Sequence, residues 1–401
     1  MTTATPLSYT EEEGTFVLAD GKRLYTKTWK PSNNTPRAVL AFFHGFSDHC
    51  NAYYEFFPTL ADRGIEVRAV DQRGWGRSVT KPSERGLTGP TPLVLADMHS
   101  FLLSLCPPKV PLFVMGHSMG GGQLLTYIFH PESPFNDTKQ SRPDLSGAMV
   151  YSPLVALHPS TRPSTLKVTL GRLAGKLLPT WPLYSPVNAS LVSRDPQVCT
   201  DYVTDELCHD TGTLEGLAGM LDRGLWLEAV AMGRAQPYAH AEGDVAATAQ
   251  RAPLPMWFCH GDDDQVNLYD ATKRFAEAVT NVKDKTFRQY EGGYHRLHAE
   301  PEGMKEQFAT DVAEWILGKC PAWGNAGDGG YTSMAGSGNR SNNNNAGGSD
   351  VAQGEDVSNI KNPAEDENDA RTRADRTQGT IMKTEADEKK EARFMSNKAK
   401  L

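Results

Sequence analysis

The sequence predicts an α/β fold, in which helices cover both faces of a mostly parallel sheet of eight strands. Two features of the chain predict it. Short β-rich segments alternate with segments of helical pattern from residue 38 onward, and this alternation favours parallel strands joined by right-handed crossovers. Several β-rich segments, such as AVLAFF at 38–43 and PLFVMG at 111–116, are almost wholly apolar, which is typical of strands buried on both faces.

The strands and the helices between them follow from these patterns. The first two strands have no helix between them, so we expect an antiparallel hairpin at one edge of the sheet. The predicted strands lie at 16–18, 24–30, 38–43, 65–70, 111–115, 147–151, 255–259 and 286–290. The predicted helices of the core lie at 52–63, 91–105, 119–129, 268–279 and 302–317.

One connection is far longer than a crossover requires. About 100 residues separate the strand at 147–151 from the strand at 255–259, where roughly 15–20 would suffice. They contain helical patterns at 166–178, 196–207 and 214–233. A long insertion of this kind is typical of a lid over a functional site, and a plain extra layer of helices is the alternative.

The end of the chain differs in composition from the rest. Residues 321–401 contain only eight of the residue types Ile, Leu, Val, Phe, Trp and Tyr, too few to bury a core. We therefore expect an α/β core at 14–153 and 251–320, a cap at 154–250, and a disordered low-complexity tail at 321–401.

Composition also excludes some classes of function. The net charge of −8 and the lack of a basic stripe argue against nucleic-acid binding. Six scattered cysteines without a C-x-x-C pair indicate a reducing compartment rather than a zinc site or a disulfide framework. The first fifteen residues lack the pattern of a secretory signal, and no apolar run approaches the roughly 20 residues of a membrane span. These features predict an intracellular protein.

The segment Gly116-His117-Ser118-Met119-Gly120 matches the motif G-x-S-x-G. The motif alone is a weak signal, but here it lies between a predicted strand and a predicted helix, as in a nucleophile elbow. Ser118 is therefore the predicted nucleophile. The glycines on either side are expected because a side chain there would collide with the neighbouring strand or helix.

A serine nucleophile needs a base and an acid that orients the base, and in this fold they follow the serine in the order acid, then histidine. Three consecutive aspartates, Asp262, Asp263 and Asp264, end one predicted strand, and their spacing does not choose among them. His295 follows the last strand, and His298 competes with it at a greater distance from the strand end.

The oxyanion formed in such a reaction needs two hydrogen-bond donors. One should be the amide of Met119, directly after the nucleophile, and the other the amide of Phe46 in the loop after the third strand. His44 in that loop is a possible base, although a structural histidine is the simpler interpretation. His117 is predicted to pack and hydrogen-bond rather than act as a base.

With these motifs in place, the sequence from about 14 to 320 resembles the monoacylglycerol lipase family of α/β-hydrolases, in the serine aminopeptidase S33-like group. The resemblance depends on the segments HGFSDH (44–49), AVDQRGWGRS (69–78), GHSMGG (116–121), SRDP (193–196), HGDDD (260–264) and EGGYHRLHAEP (291–301). It implies the α/β-hydrolase fold and hydrolysis of monoacylglycerol without a metal or organic cofactor. It also implies that Asp264 is the acid and His295 the base.

The resemblance further implies a pocket for the polar head group of the substrate. It assigns His298 and the acidic residue Asp48 to this pocket. Mammalian members have an arginine a few residues after the acid, where this chain has Ala52, so the resemblance leaves the details of glycerol recognition open. A lysophospholipase or a broad-specificity carboxylesterase is therefore the alternative enzyme. A non-catalytic scaffold is disfavoured because Ser118, Asp264 and His295 are all present.

Two expectations concern where the protein acts. The resemblance implies that the cap at 154–250 is amphipathic and rests on a membrane or a lipid droplet through leucines such as Leu166, Leu170 and Leu173. The last residues, Ala399, Lys400 and Leu401, are a conservative variant of the S-K-L peroxisomal signal. We expect a cytoplasmic protein with peripheral membrane contact, or one that a peroxisomal import receptor binds.

Overall fold

The computed structural model describes residues 9–106, 108–238, 254–301 and 303–321. The predicted tail, apart from its first residue, and the signal at 399–401 lie outside the described residues, as does the end of the predicted cap. All six cysteines lie within them and carry free thiols. Within the same ranges, no helix is both long enough and apolar enough to cross a membrane.

The core is an eight-stranded sheet in the order β1-β2-β4-β3-β5-β6-β9-β10, and a second sheet consists of β7 and β8. The strands are β1 (Tyr9–Val17), β2 (Arg23–Pro31), β3 (Ala38–Phe43), β4 (Ile65–Val70), β5 (Leu112–His117), β6 (Gly147–Tyr151), β7 (Pro182–Tyr184), β8 (Thr211–Thr213), β9 (Met256–Gly261) and β10 (Lys285–Tyr290). From β4 to β10 the neighbouring strands of the large sheet are parallel, which confirms the predicted fold class.

The edge hairpin is antiparallel as predicted, but its first strand is much longer than expected. Strand β1 starts at Tyr9, whereas the sequence indicated only 16–18. Three of the seven added residues are consecutive glutamates, which give no strand pattern. Glu11 and Glu12 form ion pairs with Lys27 and Lys30 of β2, so pairing across the hairpin stabilises a strand that apolar content does not reveal.

Eight α-helices accompany the strands in the described residues. They are α1 (Phe56–Asp62), α2 (Thr91–Ser104), α3 (Met119–Phe129), α4 (Thr165–Leu177), α5 (Pro196–Thr204), α6 (Leu214–Ala231), α7 (Tyr269–Ala278) and α8 (Met304–Gly318). The helix expected at 52–63 is wrong in its first part: a 3-10 turn at Cys50–Tyr53 precedes α1. Tyr54, with φ of +46°, breaks the helical path between them.

Two apolar clusters pack on opposite faces of the sheet. One contains buried side chains of α2, α3, α6 and α7, such as Leu102 and Phe275. The other contains buried side chains of α1 and α8, such as Phe57 and Phe308. Leu227 and Val230 of α6 belong to the first cluster, so this helix of the insertion is anchored on the core.

Helix α4 of the insertion exposes its apolar side chains instead. Leu166, Leu170, Leu173 and Leu177 are between 57% and 79% exposed. They recur every three or four residues and therefore form one stripe along the helix. This stripe does not pack on the core.

Candidate active site

The structure places Ser118 in a sharp turn between β5 and α3. Its backbone has φ of +51° and ψ of −116°, a strained conformation for a residue with a side chain. A Cβ on Gly116 would lie 2.5 Å from the Gly120 carbonyl oxygen, and a Cβ on Gly120 would lie 2.3 Å from the Phe43 carbonyl oxygen. A side chain therefore fits at neither glycine, because the backbone of neighbouring residues approaches too closely. The turn needs this close approach in order to present the serine.

His295 lies between Ser118 and Asp264. Its Nε2 is 2.9 Å from Ser118 Oγ, and its Nδ1 is 2.7 Å from Asp264 Oδ2. Because a carboxylate only accepts hydrogen bonds, the Nδ1–H donates to Asp264 and leaves Nε2 free to accept the serine proton. All three side chains are buried, and each follows the carboxyl end of a parallel strand.

Asp264 is held in place by more than the histidine. Its Oδ1 accepts hydrogen bonds from the amides of Val266 at 2.8 Å and Asn267 at 3.0 Å, and its Oδ2 also accepts one from His260 Nε2 at 2.9 Å. Burial opposes ionisation of Asp264, but the neighbouring His295 and these hydrogen bonds outweigh it and hold its pKa well below the ordinary value. The carboxylate is therefore charged and fixed in orientation.

The other two aspartates of the run have different positions. Asp262 accepts hydrogen bonds from the Gly292 amide at 2.6 Å and from Gln289 Nε2 at 2.7 Å, so it stabilises the loop that carries the histidine. Asp263 is exposed. Of the three, only Asp264 contacts His295.

Each predicted oxyanion donor is placed by its neighbour in the chain: Met119 directly follows Ser118, and Phe46 directly follows Gly45, where an added Cβ would lie 3.2 Å from Ser118 Cβ. Met119 is the first residue of α3, and Phe46 lies in the loop after β3, where its ring packs on Trp75. Neither amide hydrogen-bonds to another group of the described chain. Both are therefore free to donate to an oxygen of a substrate.

The neighbouring histidines have structural contacts. His44 is fully buried, its Nε2 accepts from the Gln72 amide at 2.9 Å, and its Nδ1 is 2.8 Å from the Gly45 carbonyl oxygen. Burial lowers its pKa. His117 stacks on Tyr151 with 4.3 Å between ring centroids, and burial with the nearby His295 lowers its pKa to about 4. Neither contacts the serine hydroxyl.

The residues assigned to the head-group pocket lie beside the triad but are buried. Asp48 pairs with Arg296, with 3.1 Å between Oδ1 and the guanidinium nitrogen. His298 stacks on Tyr53 with 4.5 Å between ring centroids, and its Nδ1 is 3.0 Å from the Tyr151 hydroxyl. Burial and the neighbouring charges lower the pKa of His298 well below the usual value, so its ring is neutral.

Three further residues complete the site and were not singled out by sequence reasoning. Asn267 Nδ2 is 3.5 Å from Ser118 Oγ and donates to the Ser152 carbonyl oxygen at 2.7 Å. His260 supports Asp264, and Arg296 pairs with Asp48. His260 and Arg296 lie inside the HGDDD and EGGYHRLHAEP segments, so only their position in a family motif could have indicated them.

An acid, a histidine and a serine at these three strand ends, with the serine at a strained strand-to-helix turn, define the α/β-hydrolase class. Comparison with known proteins agrees with this class. The family described as serine aminopeptidase, S33 matches residues 34–302.

Several relatives are named as monoglyceride lipases. A Schizosaccharomyces pombe protein, named as a candidate of that kind, is 35% identical over 73% of this chain and 71% of its own length. Monoglyceride lipase of Mus musculus is 30% identical over 77% of this chain and 91% of its own length. A solved structure of a soluble variant of monoglyceride lipase from Saccharomyces cerevisiae is 22% identical, covers 80% of this chain and 97% of that one, and superposes with a TM-score of 0.63.

The first two relatives show the family, and the solved structure shows the fold. The chain belongs to the monoglyceride lipase family of α/β-hydrolases, within the serine aminopeptidase S33 group. The family resemblance inferred from the sequence motifs is thereby confirmed.

Proposed function

We propose that this protein hydrolyses monoacylglycerol to a fatty acid and glycerol. The observation that carries the proposal is the position of His295, at 2.9 Å from Ser118 Oγ and 2.7 Å from Asp264 Oδ2. Relatives named as monoglyceride lipases support the choice of substrate.

The first half of the reaction forms an acyl-enzyme. His295 Nε2 takes the proton of Ser118 as Oγ attacks the ester carbonyl, and the negative charge on the carbonyl oxygen is stabilised by the Phe46 and Met119 amides. Asp264 stabilises the imidazolium that results. His295 then donates the proton to the departing glycerol oxygen, and the ester bond breaks.

The second half releases the fatty acid. A water molecule gives its proton to His295 and attacks the acyl carbonyl, so that a second oxyanion forms at the same two amides. Collapse of this intermediate returns the proton to Ser118 Oγ and frees the acid. The cycle consumes one water and needs no metal or cofactor.

A lysophospholipase or a broad carboxylesterase is the second candidate. The specific observation in its favour is Ala52, which stands where mammalian members of the family have an arginine. Rates of hydrolysis of mono-oleoylglycerol, oleoyl-lysophosphatidylcholine and p-nitrophenyl butyrate, measured side by side with a Ser118→Ala blank, separate the candidates. We expect mono-oleoylglycerol to be preferred, and a preference for the lysophospholipid would contradict the proposal.

The cap also suggests how the enzyme reaches its substrate. We infer that the leucine stripe of α4, defined above, rests on a membrane or lipid-droplet surface. Transfer of its exposed apolar side chains from water to such a surface lowers the free energy. Replacing all four leucines by serine should lower sedimentation with phosphatidylcholine vesicles by roughly tenfold or more. Hydrolysis of the soluble p-nitrophenyl butyrate is the control and should not change. Undiminished vesicle binding would contradict the inference.

The location of the protein in the cell remains a prediction. The signal at 399–401 favours binding to a peroxisomal import receptor, and the alternative is the cytoplasm with contact to lipid surfaces. A fluorescent protein fused to the N-terminus should give punctate peroxisomal signal that disappears when the last three residues are removed. Diffuse fluorescence in both cases would contradict peroxisomal import.

A further inference from the structure

A buried asparagine lies against the nucleophile. Asn267 is only 1% exposed, and its Nδ2 lies 3.5 Å from Ser118 Oγ and 2.7 Å from the Ser152 carbonyl oxygen. A carbonyl oxygen only accepts hydrogen bonds, so the nitrogen of the side-chain amide, rather than its oxygen, must face Ser152. This nitrogen carries two N–H groups. One donates to Ser152, and the second is available to Ser118.

The position of Asn267 is fixed by its surroundings. Its backbone amide donates to Asp264 Oδ1 at 3.0 Å, and an antiparallel bridge pairs it with Leu157 at the start of the insertion. The partner of its side chain is anchored as well, since the Ser152 amide donates to the Cys259 carbonyl oxygen at 3.0 Å. The side-chain amide therefore has a defined position relative to the triad.

The contact with Ser118 is long in the resting enzyme and should strengthen during the reaction. A hydroxyl has one donor and two acceptor positions. The Ser118 hydroxyl donates to His295 Nε2 at 2.9 Å, which leaves its acceptor positions for an N–H such as that of Asn267. A hydrogen bond to a charged oxygen is shorter and about twice as strong as one between neutral groups. Catalytic hydrogen bonds are often long without substrate and tighten in the transition state.

We propose that Asn267 is a further catalytic residue, whose Nδ2 donates a hydrogen bond to Ser118 Oγ as this oxygen leaves the acyl group. This inference rests on the proposed hydrolysis through an acyl-enzyme and adds a donor to its second half. When the tetrahedral intermediate collapses, the bond between Oγ and the acyl carbon breaks, its electron pair stays on Oγ, and His295 supplies the proton. The N–H of Asn267 stabilises the negative charge that Oγ carries during this step.

The two halves of the reaction should depend on Asn267 to different extents. In the free enzyme, Ser118 Oγ is a hydroxyl oxygen that already accepts hydrogen bonds, so part of the stabilisation is present before the attack. In the acyl-enzyme, Oγ is an ester oxygen whose electron pair is delocalised onto the carbonyl, which makes it a poor acceptor. That delocalisation ends when water adds. The gain between ground state and transition state is therefore larger in deacylation, and only such a gain accelerates a step.

A carbamate allows the two halves to be timed separately. p-Nitrophenyl dimethylcarbamate transfers its carbamoyl group to the serine and releases p-nitrophenol, and water then removes that group slowly. The release of p-nitrophenol gives the rate of carbamoylation. The return of activity on p-nitrophenyl butyrate, after excess reagent has been removed, gives the rate of decarbamoylation. In Asn267→Leu, a change of similar size without a donor, decarbamoylation should slow about tenfold more than carbamoylation.

Asn267→Asp keeps the shape of the side chain and tests the donor itself. The carboxyl that it introduces has at most one O–H, and the Ser152 carbonyl oxygen takes it. Decarbamoylation should therefore again slow more than carbamoylation. This variant provides the comparison if Asn267→Leu does not accumulate as a folded protein.

Asn136→Leu is the matched control. Asn136 is also a buried asparagine, 5% exposed, and its Nδ2 donates to the carbonyl oxygens of Ile128 at 2.9 Å and His130 at 3.0 Å. Neither partner belongs to the triad. The ratio of the two rates should therefore be unchanged in this variant.

Two outcomes contradict the inference in different ways. If the Asn267 variants slow both steps by the same factor, slow neither, or slow carbamoylation more, Asn267 has only a structural role. If the folded wild type is not carbamoylated at Ser118, the acyl-enzyme of the proposed function is wrong and this inference is wrong with it. The comparison decides the role of Asn267 even if mono-oleoylglycerol is not the substrate, because the carbamate needs only the triad.

Discussion

Asp264 shows how single residues set the geometry of the triad. Two backbone amides hold one of its oxygens, while His260 and His295 share the other. A carboxylate constrained in this way cannot rotate, and the imidazole of His295 is therefore kept in the tautomer that accepts the serine proton. The chemistry at Ser118 depends on this arrangement as much as on the serine itself.

Asp264→Asn tests the role of this carboxylate. The amide can present an N–H to His295 Nδ1 and so favour the tautomer that cannot accept the serine proton, which should lower kcat by roughly 10⁴ with little change in KM. Steady-state kinetics on mono-oleoylglycerol measure both constants. Asp263→Asn, at the exposed neighbouring position, is the control and should be near wild type. A kcat within tenfold of wild type for Asp264→Asn would contradict the assignment.

At the scale of elements, the turn between β5 and α3 depends on the absence of side chains at its glycines. A Cβ at Gly120 would meet backbone of β3, which cannot move without disturbing the centre of the sheet. Gly120→Ala should therefore lower the free energy of unfolding by about 1–3 kcal/mol and reduce activity. Gly171→Ala in α4 is the control, since a Cβ there meets nothing within 4 Å and should stabilise the helix slightly. Equal stability of the two variants in chemical denaturation would contradict this reasoning.

The bounds of a strand could be predicted where the strand's own residues carry the pattern. The strands at 38–43, 65–70 and 147–151 have the bounds expected from their apolar runs. Strand β1 was underestimated because its glutamates are stabilised by partners in β2 that a local pattern does not show. The break before α1 was missed because tyrosine, the residue type at position 54, does not indicate a positive φ.

For the molecule as a whole, the sequence predicted those site residues that a motif places at the end of a strand. Ser118 follows from such a motif alone, whereas the choice of His295 over His298 needed the family pattern. The choice of Asp264 among three aspartates needed the family pattern, and the structure brings only that residue to His295. The ion pair of Arg296 with Asp48 could not be predicted, because the fold brings together two residues that are far apart in the chain.

A contact between the loop after β3 and the long insertion predicts a pH dependence of stability. His49 Nε2 is 2.7 Å from Asp205 Oδ2 in the insertion. Burial disfavours the protonated ring, but the hydrogen bond to Asp205 and the charges of Asp71 and Asp48 outweigh it and raise the pKa of His49. A raised pKa adds stability that is complete below the unfolded value of about 6.5 and is lost as the pH rises through the folded value.

The corresponding experiment compares wild type with His49→Gln. The wild type should have the higher melting temperature at pH 6, by an amount equivalent to about 1 kcal/mol or less, and the difference should shrink by pH 8.5. Asp205→Asn should reduce the same pH dependence, because only the charges of Asp71 and Asp48 then remain to raise the pKa of His49. A difference between wild type and His49→Gln that is constant with pH would contradict the contact.

Ser118, activated by His295 and Asp264, is proposed to cleave the ester bond of monoacylglycerol. The most direct test is the initial rate of glycerol and oleate release from mono-oleoylglycerol by wild type and by Ser118→Ala. We expect equal amounts of the two products from the wild type, and a rate lower by roughly four orders of magnitude in the variant. Release at the wild-type rate by Ser118→Ala, or no release by the folded wild type, would contradict it.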